Sequence, residues 1–356
     1  MSLVRLILFP FAILYGMVVS IRNSLFNIGA IRSKIFNIPV IVVGNLSAGG
    51  TGKTPHVEYL IRLLRKEYKL FTLSRGYGRK TNGFLVANNE STYKDIGDEP
   101  LQYHVKFSDV GVAVDGNRCR GISNILESYE DTDVILLDDA YQHRYVKPGL
   151  SILLTDYHNI YSQDFLLPTG YLREHRRGAK RADIIVVTKT PKIFSPITRR
   201  RLFDLIKPLP HQSLFFSYID YGKLTTVTKF EFDPNDRDYN TIILFTGIAN
   251  SYPLKEYLRN FCEEIVSIDF ADHHSYEEKD INRIKNAYEA VFSKRKLIVT
   301  TEKDYMRLLN SKLLEAINYL PICYVPIEIK FHKGKEENVE FDNQIQRYVE
   351  SNPKNS

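Results

Sequence analysis

A lysine and a hydroxyl placed just behind closely spaced glycines are groups that handle phosphate. The run Pro39-Val-Ile-Val-Val-Gly-Asn-Leu-Ser-Ala-Gly-Gly-Thr-Gly-Lys-Thr54 sets Lys53 and Thr54 directly after Gly49, Gly50 and Gly52. Glycines let backbone N–H groups turn inward around phosphate oxygens, so Ser47, Ala48, Gly49, Gly50, Thr51, Gly52, Lys53 and Thr54 form the expected ATP cradle. Lys53 would reach the β/γ-phosphates and the Thr54 hydroxyl would ligate Mg²⁺. The apolar run before the glycines predicts a buried strand. Val57, Leu60, Ile61 and Leu64 predict a helix with one apolar face, its positive dipole end aimed at the phosphates. Pro55 falls in the first turn, where N–H groups have no intrahelical partner. Ser47 stands where the P-loop pattern has its first glycine. A glycine-rich turn that merely joins strand to helix is the alternative, and the strand, Lys-Thr pair and helix in the required order favour the nucleotide.

Carboxylates follow. Val134-Ile-Leu-Leu-Asp138-Asp139 is an apolar run ending in two acids, the form of a strand that delivers hard oxygen ligands to Mg²⁺. The continuation Ala140-Tyr-Gln142-His143 adds polar groups at the edge where open α/β sheets bind ligands. By itself, Gly97-Asp98-Glu99-Pro100 reads as a solvated turn or helix cap. In Asp272-His273-His274 the adjacent rings are poorly placed for joint metal ligation, so one histidine per site is expected. Leu172-Arg173-Glu174-His175-Arg176-Arg177 would meet phosphate, lipid headgroup or nucleic acid, or lie on a plain solvated face.

The elements that must position these groups alternate. Strands are expected at 69–74, 110–114, 134–137, 151–155 and 183–188, with helical stretches between several of them, which predicts a parallel sheet with right-handed crossovers. A second α/β unit is expected through strands at 241–245, 264–269, 297–301 and 322–329, after extended segments at 214–218 and 224–230. The fold class is therefore α/β: a P-loop NTPase-like α/β/α domain and a second, smaller α/β domain joined by a β-strand linker. The expected divisions are an apolar helix over 1–27, a P-loop kinase domain over 28–212, the linker over 213–232 and the smaller domain over 233–356. A chain of 356 residues, 44% hydrophobic and 25% charged, can bury two such cores. The net charge of +6 favours anionic partners without choosing among them. Cys119, Cys262 and Cys323 match no metal spacing, which suits a reducing compartment.

From Leu6 to Ile21 the chain carries no charge and is flanked by Arg5 and Arg22. The run is short for a bilayer span, offers no small-x-small cleavage site at its end, and is expected to lie in the membrane interface. A buried packing helix, a true span and a signal peptide are the alternatives.

As a set the motifs resemble the tetraacyldisaccharide 4′-kinase family, the lipid A 4′-kinases of Gram-negative bacteria. The resemblance rests on Val43-Gly-Asn-Leu-Ser-Ala-Gly-Gly-Thr-Gly-Lys-Thr-Pro55, Ser74-Arg-Gly-Tyr-Gly-Arg79, Gly97-Asp-Glu-Pro100 and Leu137-Asp-Asp-Ala-Tyr-Gln-His143. It continues in Leu167-Pro-Thr-Gly-Tyr-Leu-Arg-Glu174, Phe270-Ala-Asp-His273 and Thr301-Glu-Lys-Asp304. It implies transfer of the ATP γ-phosphoryl group to the 4′-hydroxyl of an acylated glucosamine disaccharide 1-phosphate, forming lipid IVA. The family pattern puts Lys53 and Thr54 on triphosphate and metal, and Asp138 and Asp139 near Mg²⁺. It also implies that Asp98, paired with His273, accepts the sugar hydroxyl proton, and that Arg118, Gln142, His143, Arg173 and Glu174 line the site. The implied cofactors are ATP and Mg²⁺. The implied setting is the cytoplasmic face of the inner membrane, held peripherally at the lipid surface, with no nucleic acid and no obligate protein partner. A membrane-associated P-loop switch ATPase is the rival. Its loop carries a lysine just before the Gly-Gly pair, where this chain has Ala48.

Overall fold

The computed structural model describes residues 3–227, 232–235, 238–309, 311–332 and 337–352. The first unit is built on near-continuous apolar runs, the pattern of strands covered on both faces. These are β1 (Val40–Asn45), β2 (Leu70–Ser74), the two-residue β3 (Leu85–Val86), β4 (Gly111–Val114), β5 (Val134–Asp138), β6 (Leu150–Asp156), β7 (Ile184–Thr188) and β8 (Ser213–Tyr221). They lie in the order β8-β7-β6-β1-β5-β2-β4-β3, all parallel except β3. Around the sheet run α1 (Leu3–Asn27), α2 (Lys53–Leu64), α3 (Tyr93–Ile96), α4 (Asp98–Lys106), α5 (Arg118–Ser128) and α6 (Pro196–Ile206). Alternation along β1 splits the core in two. Ile41 and Val43 pack with Val57, Leu60, Ile61 and Leu64 of α2, while Val40 and Val42 join Ile122 and Ile125 of α5 on the opposite face. With β5 on one side and β6 on the other, the C-terminal end of β1 opens into the crevice where such sheets bind ligands.

The second unit contains β9 (Thr225–Thr226), β10 (Tyr239–Thr246), β11 (Cys262–Asp269), β12 (Lys296–Thr301) and β13 (Ile322–Val325), ordered β11-β10-β12-β13-β9. Its helices are α7 (Tyr252–Leu258), α8 (Glu278–Ala290), α9 (Glu302–Leu308) and α10 (Lys312–Glu315). Two apolar clusters, one around Ile243, Phe245 and Ile298 and the other around Ile242, Leu244 and Val299, give it a core of its own. The expected class, a P-loop-like α/β domain with a smaller α/β companion, is the one observed.

The divisions differ from those expected. The segment taken as a linker over 213–232 begins with β8, an integral strand of the first sheet, and only β9 belongs to the second. The rest of the strand expected over 224–230 lies partly outside the described residues. The strand expected over 322–329 is two strands, because Pro326 interrupts it. β13 stays in the second sheet, and β14 (Ile327–Phe331) crosses back to pair antiparallel with β8. The last helix, α11 (Glu337–Glu350), also returns to the first unit. The cause is burial. Ile329, Phe331, Phe341, Ile345 and Val349 complete the core beneath α2, the Tyr59 hydroxyl donates to Asp342 at 2.8 Å, and the Val40 N–H donates to Tyr348 Oη at 3.1 Å. The smaller unit is thus an excursion between β8 and β14, not the whole of 233–356.

Helix α1 stands apart. Ile7–Asn27 has a mean hydropathy of 1.4, long and apolar enough by length and composition to cross a membrane, yet only Ala12, Gly16 and Phe26 are buried within it. Ile7, Phe11, Leu14, Val18 and Ile21 are exposed.

Candidate active site

The loop leaving β1 winds tightly before α2. Gly49 (φ 117°) and Gly52 (φ 83°) take left-handed backbone that other residues adopt only with strain. The loop is pinned from outside. The Ala48 N–H donates to Tyr171 O at 2.6 Å, Thr188 Oγ1 donates to Thr51 O at 2.9 Å, and Lys189 Nζ donates to Gly50 O while pairing with Asp156 at 2.8 Å. The amides of Ala48 and Thr51 are therefore engaged within the fold. A Cβ built on Gly49 or Gly50 would meet nothing within 4 Å, so the space in front of the loop is open. Asn45 Oδ1, Thr51 Oγ1 and Asp138 Oδ1 are buried there without hydrogen-bond partners. Orphaned polar atoms around an open glycine loop are what a polyphosphate and its hard cation would satisfy, so these residues fit Mg·ATP. Among the described residues no cluster of three His, Cys, Asp or Glu side chains could hold a metal alone.

The two acids after β5 have opposite character. Asp138 is buried, accepts a 3.0 Å bond from Tyr103 Oη, and is pushed up to about 7 by burial and by the like charges of Glu99 and Asp139. Asp139 sits at φ 46°, 3.6 Å from Lys53 Nζ and 3.1 Å from Arg173. Burial works to raise it, but Lys53 and Arg173 outweigh that and hold it below the usual carboxylate range. Behind them Arg118 is buried, donates to Asp115 O at 2.7 Å and leaves its Nε unpartnered. Burial lowers it to about 10 despite the pull of Asp138 and Asp139.

Asp98 opens α4 after Gly97 (φ 97°), and the two units meet on it. Its Oδ2 accepts from Arg307 NH2 at 2.6 Å, Arg307 Nε at 3.2 Å and His273 Nδ1 at 3.1 Å, with Lys303 Nζ at 3.8 Å. Its Oδ1 accepts the Glu99 N–H at 3.0 Å. Burial opposes ionisation, but the His273 hydrogen bond and the charges of Lys303 and Arg307 hold the carboxyl well below its ordinary value. His273, at φ 58°, stands in the turn after β11 with its ring one-third exposed. Bonding through Nδ1 leaves Nε2 on the outer side, 3.3 Å from Lys303 Nζ, and the Tyr77 ring lies 5.2 Å away. Tyr77 gives the 75–80 segment its place beside this pair.

The other expected lining residues do different things. Gln142 Nε2 donates to Asn45 O at 2.7 Å and to Glu174 Oε1 at 3.1 Å. Glu174 is buried and also receives Asn23 of α1 at 2.9 Å and Arg181 at 2.8 Å, so it anchors α1 and is not an open ligand group. The Tyr15 hydroxyl donates to Arg173 O at 2.6 Å, a second tie from α1 to the site loop. His143 keeps an unpartnered Nε2 and is lowered to about 4 by burial and by Arg118, Arg22 and Arg75.

Sequence reasoning passed over Glu99, Tyr103, Lys303 and Arg307. Only the Thr301-Glu-Lys-Asp304 run pointed toward the α9 cations. Deeper in, Lys106 Nζ bridges Glu58 at 2.7 Å and Glu302 at 2.8 Å, joining α2, α4 and α9, the helices that carry Lys53, Asp98 and Arg307. Glu302 is pushed up to about 7 by burial and Glu58, against the pull of Lys106. A carboxyl raised above its unfolded value of about 4.3 costs stability as pH rises toward the folded value, since the folded state holds the proton longer. In thermal melts, Glu302→Gln is therefore expected to raise Tm over wild type by more at pH 8 than at pH 5.

A sequence profile described as Tetraacyldisaccharide-1-P 4'-kinase matches residues 4–347. Similar proteins named Tetraacyldisaccharide 4'-kinase come from Bacteroides thetaiotaomicron and Flavobacterium johnsoniae. The first is 46% identical over 98% of this chain and 94% of its own length, the second 47% identical over 99% of both. Among solved structures, the "apo" form of LpxK from Aquifex aeolicus in complex with ATP superposes with a TM-score of 0.74 at 28% identity, covering 98% of this chain and all of its own.

Proposed function

The chain belongs to the tetraacyldisaccharide-1-phosphate 4′-kinase family and is an ATP-dependent kinase of lipid A biosynthesis, and we propose that its chemistry runs between the P-loop and the Asp98–His273 pair. The observation that supports this assignment is that pair, drawn from two units and adjoining Glu99, whose charge reaches Asp138 at the end of β5. Thr54, Asp138 and Asp139 would hold Mg²⁺, which supplies charge neutralisation on the phosphates. Lys53 binds the β/γ-phosphates on leaving Asp139, and Arg118 and Arg173 add positive charge beside them.

The imidazole suits proton acceptance better than the carboxylate does. Asp98 is buried, fully bonded and held strongly ionised, so it is a weak base. Its bond to Nδ1 fixes the tautomer with Nε2 as acceptor and stabilises the imidazolium that forms. The 4′-hydroxyl, oriented at Nε2, gives up its proton as its oxygen bonds the γ-phosphorus, while the bond from that phosphorus to the β,γ-bridging oxygen breaks and ADP leaves with the electron pair. Phosphoryl transfer is mostly positioning and charge stabilisation, so one well-held base suffices. The test is transfer of label from γ-labelled ATP to the disaccharide 1-phosphate lipid in detergent with Mg²⁺. Lys53→Met is expected to lower kcat by about 10²–10³-fold, the loss typical of one charge-stabilising donor.

The substrate's acyl chains keep it in a bilayer, each buried methylene contributing about 0.8 kcal/mol, so the enzyme works at the membrane surface, on the side that holds ATP. The exposed apolar face of α1, tied to the site by Tyr15 and Asn23, supports an interfacial seat. Leu14→Asp with Val18→Asp is expected to abolish co-sedimentation with phospholipid vesicles while leaving Tm within about 2 °C, as surface changes do.

A further inference from the structure

Three consecutive carbonyls of the glycine loop are held by side chains. Lys189 Nζ donates to Gly50 O, Thr188 Oγ1 donates to Thr51 O at 2.9 Å, and His56 Nδ1 bonds Gly52 O at 2.7 Å. The first two donors stand at the end of β7, and the third rises from the first turn of α2. In a planar trans peptide the C=O and the N–H that follows point in opposite directions. Holding Thr51 O and Gly52 O therefore turns the Gly52 and Lys53 N–H groups the other way. Among the described residues neither amide has an acceptor in the fold. Gly52 sits at φ 83° and, as glycine, has other conformations open to it, so the direction of its carbonyl needs an outside hold.

His56 supplies that hold. Its ring is 3% exposed and lies against the loop, with Nδ1 3.7 Å from where a Cβ on Gly52 would stand. Burial lowers it to about 4, so it is neutral at pH 7. A carbonyl oxygen only accepts, so Nδ1 carries the proton and Nε2 accepts the Ser217 hydroxyl at 3.0 Å. Ser217 is itself fixed on β8. Its O accepts the Thr190 N–H at 3.1 Å and Thr190 Oγ1 at 2.9 Å, and it pairs with Phe331 of β14. The imidazole is thus a strut from the first sheet to the loop. The other donor to Gly52 O, the His56 N–H at 3.3 Å, makes the longer bond. An apolar side chain would fill this space without burying two nitrogens. What the imidazole adds is a set direction for Gly52 O.

We propose that His56 is a positioning residue for the nucleotide: its Nδ1–H bond to Gly52 O presets the Gly52–Lys53 peptide so that the Lys53 N–H meets the phosphates of ATP. The inference rests on the kinase reading and specifies how its nucleotide is held. The asymmetry of the ring supplies the test. In His56→Asn the side-chain amide N–H stands where Nδ1 stood, in His56→Gln it lies nearer the place of Nε2, and His56→Leu has no donor. Each variant is compared with wild type by equilibrium dialysis of labelled ATP with Mg²⁺, by KM for the tetraacyl disaccharide 1-phosphate, and by Tm.

His56→Gln and His56→Leu are expected to raise the Kd for ATP about fivefold, the equivalent of one net hydrogen bond, while His56→Asn stays within about twofold of wild type. KM for the lipid stays unchanged in all three. Tm falls in all three, because each leaves part of the ring's space empty. The split between Asn and Gln is what a purely structural role would not produce, and it keeps the test alive if His56→Leu folds poorly. An ATP Kd that follows Tm across the variants, a rise in His56→Asn as large as in His56→Gln, or no rise in any of them would overturn the positioning role. Wild type that binds ATP in dialysis yet transfers no label to the lipid would instead remove the kinase reading, with the comparison at His56 still read by dialysis.

Discussion

Arg307→Leu is expected to lower the unfolding free energy by about 3–5 kcal/mol, the penalty for breaking a buried ion pair from one side. The guanidinium is 2% exposed and donates to Asp98 at 2.6 Å and Asp304 at 2.8 Å, so its loss takes a charged partner from two buried carboxylates. Urea unfolding measures the change, and its pH dependence carries a sign. Asp98 is held well below its unfolded value of about 3.9, so its pairing stabilises the fold at pH above about 4 and that stability disappears as pH falls through the folded value. The gap between wild type and variant should therefore be full at pH 7 and shrink below pH 4. A constant gap would show that packing of the arginine stem, not its charge, supplies the stability.

His273→Ala should reduce kcat by about 10²–10⁴-fold, the usual contribution of a positioned base. Its ring is one-third exposed and belongs to neither buried core, so the fold should survive. KM for ATP should change little, because no P-loop group bonds the imidazole in the described structure. Steady-state kinetics with each substrate varied in turn would check both statements. A parallel loss of ATP affinity would place His273 on the nucleotide instead.

The glycine loop was legible in the sequence because its parts are local. Gly49 and Gly52 need left-handed backbone, and Lys53 and Thr54 follow at once. The acids after β5 were legible for the same reason. The cluster of Asp98, His273 and Arg307 was not. Asp98 lies 175 residues from His273 and 209 from Arg307. Alone, each reads as a turn, a surface histidine or a helix cation. Only the family resemblance joined Asp98 to His273, and nothing local named Arg307. Glu174 was read as lining, but its partners Asn23, Gln142 and Arg181 make it an anchor that spacing does not disclose. The fold shows the same limit. The run Ile327-Glu-Ile-Lys-Phe331 alternates as a strand should, yet alternation does not say which sheet it joins. That choice is made by the space beneath α2 that Ile329, Phe331 and Phe341 fill.

The most direct test is a double-mutant cycle on transfer of labelled γ-phosphate to the 4′-hydroxyl, with the position of the new phosphate read by ³¹P NMR. Wild type should yield the 1,4′-bisphosphate. Asp98→Asn and His273→Ala should each slow its formation by about 10²-fold or more. If Asp98 acts through the imidazole, the double variant should be no slower than the slower single variant. Multiplying losses would mean that the two groups act independently, and wild-type rates in either single variant would contradict a base shared between the two units.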